Sequence, residues 1–323
     1  CWHVDDCKLS HANKKDNDGF IETLRIEYES MFEDGSGAMT VARGKIHECL
    51  GMTLDYRVRG QVKITMFACI KGIIDAWDAI EKKGGGTKTS AAPLNLFRVD
   101  DTCEKLNAKS SKDFHTLVAK TLFATKRARP DTGTSVSFLT TRVREPDKED
   151  WVKLGHLMKY LQGTKDLPLI LSADGSGILK WWIDGSHAVH QNMRGHTAAG
   201  FSLGRGFPLT TSKKQKLNTR SSTEAELVGV DDVMALVMWT RYFLEAQGYT
   251  IDDNIVYQDN QSAILLDAAR ELNTSIADST LSLTKSITAN SLLSIVPQQK
   301  RWLAISIPSP CKGSFSISSI VLS

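Results

Sequence analysis

Three carboxylates, placed along a predicted order of three strands, a helix, a strand and a helix, constrain the fold of this chain most strongly. Asp184 follows a β-prone run, Glu226 lies in the first turns of a helix predicted from Ser221, and Asp259 ends a second short β-prone run. Acids at the ends of adjacent strands and on the helix packed against them can meet at one end of a sheet. Such hard oxygen ligands suit Mg²⁺ or Mn²⁺. The pattern therefore predicts an α/β fold with a divalent-metal site.

Two glutamates compete for the helix position of this site. Ser221-Ser222-Thr223-Glu224 fits a capping box, in which the Glu224 carboxylate reaches back to the amide of Ser221. Glu226 lies two residues further and about 200° around the helix. We predict Glu226 as the ligand and Glu224 as the cap. Thr223 is equally able to form a capping box with Glu226, so the opposite assignment stays open.

Periodicity and breaker residues predict further elements on both sides of the helix. In the unit that carries the three acids, three strands precede this helix, and one strand and a second helix follow it. Helices and strands also alternate in the first half of the chain, with a glycine-rich linker between them. The predicted strands are 46–54, 62–66, 179–183, 197–203, 207–211 and 254–259, the predicted helices are 70–82, 111–126, 148–162, a long one from Ser221, and 262–272, and the linker is 84–90.

Four blocks in the second half of the chain resemble the ribonuclease H domain of copia-type retrotransposon polyproteins. They are WIDG at 182–185, SKKQK at 212–216, SSTEAEL at 221–227 and DNQSAI at 259–264. Upstream, HECLGM at 47–52, RPD at 129–131 and YLQGTK at 160–165 resemble segments that follow the polymerase active site in the same family. The resemblance covers roughly residues 1–272. It implies hydrolysis of RNA in RNA–DNA hybrids with Mg²⁺ or Mn²⁺, and Asp184, Glu226 and Asp259 as catalytic metal ligands.

The resemblance also implies how the chain is organised. We expect an α+β remnant of the reverse transcriptase thumb and connection, followed by a ribonuclease H-like domain with a mixed sheet. The expected units are a palm and thumb remnant at 1–83, a linker and thumb/connection region at 84–175, an incomplete ribonuclease H-like domain at 176–272, and a tail at 273–323. The remainder of the retroelement polyprotein is an expected partner.

The first residues resemble a polymerase motif. His3-Val4-Asp5-Asp6 is similar to the Tyr-x-Asp-Asp hairpin of reverse transcriptases, with His3 in place of the tyrosine. A bare pair of aspartates more often marks a solvated turn, so Asp5 and Asp6 are read as a polymerase-motif remnant on their position alone. The strand with the first polymerase carboxylate does not precede them in this chain. Two acids do not hold both metal ions on a triphosphate, so we expect no primer extension by this chain alone.

The composition changes at the C-terminal end. From Asn273 onward serine supplies 13 of 51 residues, and Asp278 is the only acid. A polar disordered tail is one reading. Written in plausible codons and read two nucleotides on, 294–319 spells YCPTAKTMVGDFYTKPLQGKLFDFF, which resembles the end of copia-type polyproteins. We therefore expect a disordered, out-of-frame tail, loss of the family's fourth carboxylate, which Asp278 does not match, and impaired nuclease activity.

Basic and histidine side chains flank the predicted metal site. Four basic residues just before the helix are predicted to meet nucleic-acid phosphates, with a solvated loop as the alternative: Lys213, Lys214, Lys216 and Arg220. The formal net charge of +3 says little about partners. Three histidines near Asp184 lie in a polar loop and are predicted to be at the surface rather than in a metal cluster: His187, His190 and His196.

Cysteine spacing and hydropathy bear on the setting of the chain. Its six cysteines show no C-x-x-C pair, which favours neither a zinc knuckle nor a disulfide framework. The chain has no signal peptide and no apolar run of membrane-spanning length, so we expect an intracellular protein, cytoplasmic or nuclear, with no membrane partner. A non-catalytic nucleic-acid-binding remnant or a domesticated interaction module is the alternative function.

Overall fold

The computed structural model describes residues 2–3, 6–10, 13–29, 39–81, 86–263 and 303–306, with the backbone alone at 2, 3, 6, 29 and 303–306. Helices and two larger sheets make an α/β fold, which confirms the predicted class. The helices are α1 (Lys14–Glu29), α2 (Phe67–Glu81), α3 (Ala108–Thr125), α4 (Gly133–Arg142), α5 (Lys148–Gly163) and α6 (Ser222–Ala246). The strands are β1 (Trp2–His3), β2 (Asp6–Cys7), β3 (Ile46–Cys49), β4 (Met52–Asp55), β5 (Gln61–Thr65), β6 (Leu169–Ala173), β7 (Ile178–Ser186), β8 (His196–Ser202), β9 (Gly204–Arg205), β10 (Leu209–Lys214), β11 (Asp253–Gln258) and β12 (Leu303–Ser306).

The first large sheet is antiparallel in the order β3-β4-β5-β6-β9. The prediction of one strand over 46–54 is wrong, because the chain reverses at Leu50 and Gly51 and forms the β3–β4 hairpin. Both residues have positive φ, 52° and 71°. Glycine adopts this conformation at little cost, whereas Leu50 adopts it only because the turn requires it.

One hydrophobic core joins this sheet to helices α2 to α5. It runs without a break from Leu54 in β4 to Leu161 in α5, and its centre includes Phe114 and Leu157, both fully buried. The core therefore crosses the expected division between 83 and 84. Gly84 and Gly85 of the predicted linker lie outside the described residues, and the amide of Lys88 donates to the carbonyl of Lys159 on α5.

The second large sheet carries the predicted acids. Its order is β10-β8-β7-β11-β12, with β7 and β11 parallel and the other neighbours antiparallel. Helix α6 packs on β7 and β8. Side chains alternate along β7, so Trp181 and Ile183 are buried with Val237 of α6, while Trp182 and Asp184 belong to the opposite face.

Both ends of the chain contain short paired segments. Strands β1 and β2 form the hairpin expected at the polymerase-like motif, with His3 paired to Asp6, while Asp5 and the side chain of Asp6 lie outside what the structure describes. In the predicted tail, β12 pairs with β11, so Leu303–Ser306 differ from the unpaired coil expected there. The rest of 273–323, with Asp278, lies outside the described residues, as does most of the predicted helix 262–272.

Among the helices within the described ranges, none combines the length and the apolar character needed to cross a bilayer.

Candidate metal centre

Parallel pairing of β7 and β11 brings two of the predicted acids to the same level of the sheet. Trp182 pairs with Tyr257, and Asp184 and Asp259 each follow two residues later. Asp184 lies inside β7, which continues to Ser186, rather than at the predicted strand end. One ligand oxygen each from Asp184, Glu226 and Asp259 lies within 4.8 Å of the other two. The three acids predicted from the sequence therefore come together.

Glu226 enters this cluster from α6. Its side chain is buried, with 7% of the residue exposed. Oxygen Oε2 accepts hydrogen bonds from the amide of Gly185 at 2.7 Å and from Nε2 of Gln258 at 3.1 Å. Burial and the adjacent charge of Asp184 raise the pKa of Glu226 to about 7, against the opposing effect of these two hydrogen bonds. The cluster therefore holds more negative charge than its neutral hydrogen-bond donors offset.

Gly185 allows helix and strand to approach closely enough for this contact. A Cβ atom built at Gly185 would lie 2.6 Å from the carbonyl oxygen of Ala225 and 3.0 Å from Cα of Glu226. Both neighbours are backbone atoms, which do not move aside as a flexible side chain does. A side chain at position 185 is thus incompatible with the observed separation of β7 and α6.

The structure places the two glutamates in different surroundings. Ser221 is the N-cap of α6, and its Oγ accepts from the amide of Glu224 at 3.2 Å. Glu224 is exposed, and its Oε2 accepts from the amide of Arg220 at 2.6 Å. The sequence predicted that Glu224 accepts from the amide of Ser221, whereas the observed donor is the amide of Arg220. Glu224 closes the helix start, and Glu226 joins the acid cluster.

Gln258 is a part of the site that the sequence did not reveal. It is 1% exposed, donates to Glu226, and its Oε1 accepts from the amides of Asp259 and Asn260 at 2.7 and 3.2 Å. One side chain thus fixes the glutamate and the turn that carries Asp259. Burial alternates along β11, with Asn254, Val256 and Gln258 as the buried set. Three consecutive apolar residues, 255–257, hide this alternation in the sequence.

The four basic residues predicted to contact nucleic acid differ in their surroundings. Lys213 contacts Asp232, with Nζ 2.9 Å from its carbonyl oxygen and 3.4 Å from its carboxylate. Lys214 is half-buried, and burial lowers the pKa of its ammonium group. Lys216 and Arg220 are exposed. A phosphate-binding role for all four stays a prediction, and Lys216 and Arg220 are the two most accessible to a ligand.

Gln215, in the middle of this basic run, has a structural role. It is buried, and its Nε2 donates to the carbonyl of Ala225 at 2.8 Å and to Oγ1 of Thr197 at 3.1 Å. These contacts tie the segment after β10 to β8 and to the first turn of α6. A neutral residue between lysines was the sequence signal for this buried position.

The prediction of surface histidines is wrong for two of the three. His190 and His196 are 5% and 4% exposed, and Nε2 of the first lies 3.0 Å from Nδ1 of the second. Phe97 packs against both rings, and Nε2 of His196 lies 2.7 Å from Oγ of Ser212. Burial lowers the pKa of each imidazole to about 4, so both are neutral at pH 7. Half-buried His187 contacts Thr219 instead.

Comparison with known proteins gives three informative relatives. A retrovirus-related Pol polyprotein from transposon TNT 1-94 of Nicotiana tabacum is 28% identical over 164 residues, which are 50% of this chain and 12% of the relative. The putative transposon Ty5-1 protein of Saccharomyces cerevisiae is 23% identical over 193 residues, 59% of this chain and 61% of the relative. The secreted RxLR effector protein 161 of Plasmopara viticola is 29% identical over 112 residues, 34% of this chain and 79% of the relative.

These matches cover only part of the first two relatives. The matched region spans about an eighth of the tobacco polyprotein and about three fifths of the yeast protein. No family model matches the chain. No solved structure matches it either. The chain is therefore related to retrotransposon Pol polyproteins at modest identity.

Proposed function

We propose that this chain is part of a retrotransposon polyprotein and that the sheet with α6 is a ribonuclease H-like unit, which hydrolyses RNA in RNA–DNA hybrids. The observation that carries the proposal is the convergence of Asp184, Glu226 and Asp259 from a strand, a helix and a strand end. Relationship to Pol polyproteins supports it. The remainder of such a polyprotein is the proposed protein partner.

The donor set fits Mg²⁺ or Mn²⁺. Its ligand atoms are three carboxylate oxygens within 4.8 Å of one another, without sulfur or imidazole in the set. The raised pKa of Glu226 shows that its charge is disfavoured in the metal-free cluster, and a divalent cation would remove that penalty. Asp184, Glu226 and Asp259 would hold the metal, which would supply activation of water and stabilisation of the leaving oxygen in phosphodiester cleavage.

The residues of the chain hold the three carboxylates in position. Asp184 is fixed by the central strand of the sheet, and Gln258 orients both Glu226 and the turn before Asp259. The two hydrogen bonds to Glu226 fall on Oε2. They fix the rotation of the carboxylate and leave Oε1 for a ligand. A scissile phosphate on the open side of β7 would then face all three acids.

Cleavage of a hybrid with labelled RNA, in Mg²⁺ and in Mn²⁺, tests the proposal. The unmodified chain is compared with a chain whose C-terminal codons are restored to the frame that reads YCPT through TKPLQG. We expect little cleavage by the first and metal-dependent cleavage by the second. Glu226→Gln should abolish this cleavage, whereas the matched control Glu224→Gln should retain it. A frame-restored chain that folds, binds hybrid and fails to cut it with either metal would refute the nuclease assignment.

A non-catalytic binding or interaction module is the second candidate. Its support is the relative named as a secreted effector, of which the match covers 79%. Exposed Lys216 and Arg220 offer contacts to phosphates in such a module. Hybrid binding that weakens steeply with salt, unaccompanied by cleavage in the frame-restored chain, would favour it. Lys216→Gln should then lower the slope of log K against log salt by about one.

A further inference from the structure

A cavity of about 430 Å³ lies between the second sheet and the helices α3 and α4, which we call the helical unit. The end of α3 and one face of α4 form one side, and β7, β8 and β10 form the other. It opens on the face of β7 opposite α6, and Asp184 is part of its wall. The cavity thus adjoins the acid cluster but draws half of its lining from a different part of the chain.

The sheet side of the cavity offers an aromatic surface. Trp182 stacks on Tyr257 with ring centres 5.0 Å apart and an interplanar angle of 14°. Phe207 meets Trp182 edge to face at 5.5 Å and remains 39% exposed at the cavity mouth. Exposed aromatic rings beside a nucleic-acid site typically bind bases by stacking, a contact that does not depend on base identity.

The helical side offers positive charge and hydroxyl groups. Exposed Lys126 caps the C-terminal end of α3, and α4 begins in the cavity wall at Gly133 and Thr134. Further hydroxyl groups come from Ser137 and Thr140. A base could therefore stack at one wall while its phosphate lies near the lysine and the acid-bound cations.

We propose that this cavity binds one unpaired nucleotide of the substrate strand, next to the phosphate held at the acid cluster. The proposal rests on the proposed function and adds a subsite to it. The volume lies within the range of small-ligand sites. The lining matches a nucleotide in its two parts: an aromatic surface for the base, and Lys126 with the hydroxyl groups of α4 for the phosphate. The helical unit is then part of substrate binding.

Calorimetric titration of the full chain with guanosine 5′-monophosphate tests the subsite directly. Ca²⁺ replaces Mg²⁺ so that binding is measured without cleavage. Ribose 5-phosphate, which keeps the phosphate and lacks the base, is the control ligand. We expect the nucleotide to bind roughly tenfold more tightly than the sugar phosphate because of stacking. Equal affinities would overturn the proposal.

Matched variants locate the binding. Phe207→Ala and Lys126→Gln should each weaken nucleotide binding by roughly tenfold. Trp239→Ala removes an aromatic residue that is 54% exposed on α6, away from the cavity, and Lys112→Gln removes an exposed charge nearer the start of α3. Both controls should bind the nucleotide like the parent, and unfolding temperatures verify that all four variants fold. Parent-like binding by Phe207→Ala and Lys126→Gln would place the nucleotide elsewhere and overturn the proposal.

A competition experiment separates a strand from a free nucleotide. A single-stranded tetraribonucleotide should displace the bound monophosphate, and failure to displace it would overturn the assignment to a substrate strand. The nuclease and the subsite can also fail separately. Nucleotide binding that depends on Phe207 in a frame-restored chain without cleavage supports the subsite and refutes the nuclease. Cleavage by the same chain with unchanged nucleotide binding in both cavity variants supports the nuclease and refutes the subsite.

Discussion

Buried acids occur in two regions of this molecule and are compensated in different ways. At the start of α5, Asp147 and Asp150 are each 1% exposed, and each has a carboxylate oxygen 2.9 Å from a guanidinium nitrogen of Arg142. At the acid cluster, Glu226 receives its hydrogen bonds from the neutral donors Gly185 and Gln258. The first group carries its own counterion, whereas the second is the place where we propose that a cation from outside binds.

The first group shows how costly a buried charge is even with a partner. Burial raises the pKa of Asp150 by more than its bonds to Arg142 and to the amide of Asp147 lower it. Asp147 and Asp150 also cap α5 together, each accepting from the amide of the other. Arg142 therefore stabilises a helix start as well as two carboxylates, and the two regions should respond in opposite directions when a charge is removed.

Removal of the counterion should have the largest effect. Arg142→Ala leaves two buried carboxylates without their guanidinium and should lower the free energy of unfolding by roughly 3–5 kcal/mol. Chemical denaturation at pH 7 measures this change. Arg144→Ala removes an exposed arginine two residues away and should change stability by less than about 0.5 kcal/mol. Equal losses in the two variants would show that the Arg142 pairs contribute nothing specific.

Removal of an acid from the cluster should raise the free energy of unfolding, the opposite of the effect of Arg142→Ala. In chelator-treated protein, Glu226→Gln should raise the free energy of unfolding by roughly 1–3 kcal/mol at pH 8, because the folded pKa near 7 exceeds the usual 4.5. A raised carboxyl pKa means that the folded state loses stability as pH rises from 4.5 through 7. The gain should therefore vanish near pH 4.5, where the parent glutamate is protonated.

The same experiment with divalent metal should reverse the order of the two proteins. If Mn²⁺ binds the folded acid cluster, as proposed, it should stabilise the parent more than Glu226→Gln. A variant that is destabilised without metal, at every pH, would show that Glu226 is an ordinary packed residue and that the contrast between the two regions does not hold.

The histidine pair extends the comparison to buried groups that would become cations. His190 and His196 face each other, with Lys214 as the nearby positive charge, and their pKa values of about 4 lie below the usual 6.5. The unfolded chain then binds more protons between these values, so stability is lost as pH falls from 6.5 toward 4. For the two imidazoles together, we expect a loss of roughly 2–4 kcal/mol between pH 6.5 and 4.5.

A single substitution isolates the histidine contribution. His190→Gln should flatten the acid limb of the stability curve, whereas His115→Gln at an exposed position of α3 should leave it unchanged. An unaltered acid limb in His190→Gln would assign the acid sensitivity to other groups.

The smallest expected effect is at the helix start. Glu224→Gln removes a charge near the positive end of α6 but retains an acceptor for the amide of Arg220, so it should cost roughly 0.5–1 kcal/mol. It should also leave metal-induced stabilisation intact, unlike Glu226→Gln. Loss of that stabilisation in Glu224→Gln would reassign the ligand from Glu226 to Glu224.

Local signals predicted the parts of the site that depend on neighbouring residues. The cap at Ser221 placed the start of α6, and two residues of helical rotation separated Glu226 from Glu224. Strand ends predicted Asp184 and Asp259, with an error of two residues at β7. These features follow from periodicity and hydrogen bonding within a few residues, which a sequence displays directly.

Features that depend on distant segments were not predictable in this way. The loop that contains His190 is polar, but Phe97 and Phe138 cover the ring from positions far earlier in the chain. Helix α4 was missed, since its ten residues include five serines and threonines and its buried face is defined by contacts with α3, α5 and β10. The β3–β4 turn was missed because Leu50 gives no signal for positive φ.

The spacing of the acid cluster depends on the absence of a Cβ atom at Gly185. With 2.6 Å between the position of a Cβ and the carbonyl of Ala225, even alanine would force α6 away from β7 and carry the backbone of Glu226 with it. Asp184 and Asp259 are attached to β7 and β11, so their positions would not change with that of α6. A chain could therefore keep every carboxylate of this cluster and still lose the spacing between them, through the addition of one methyl group to a residue that binds nothing itself.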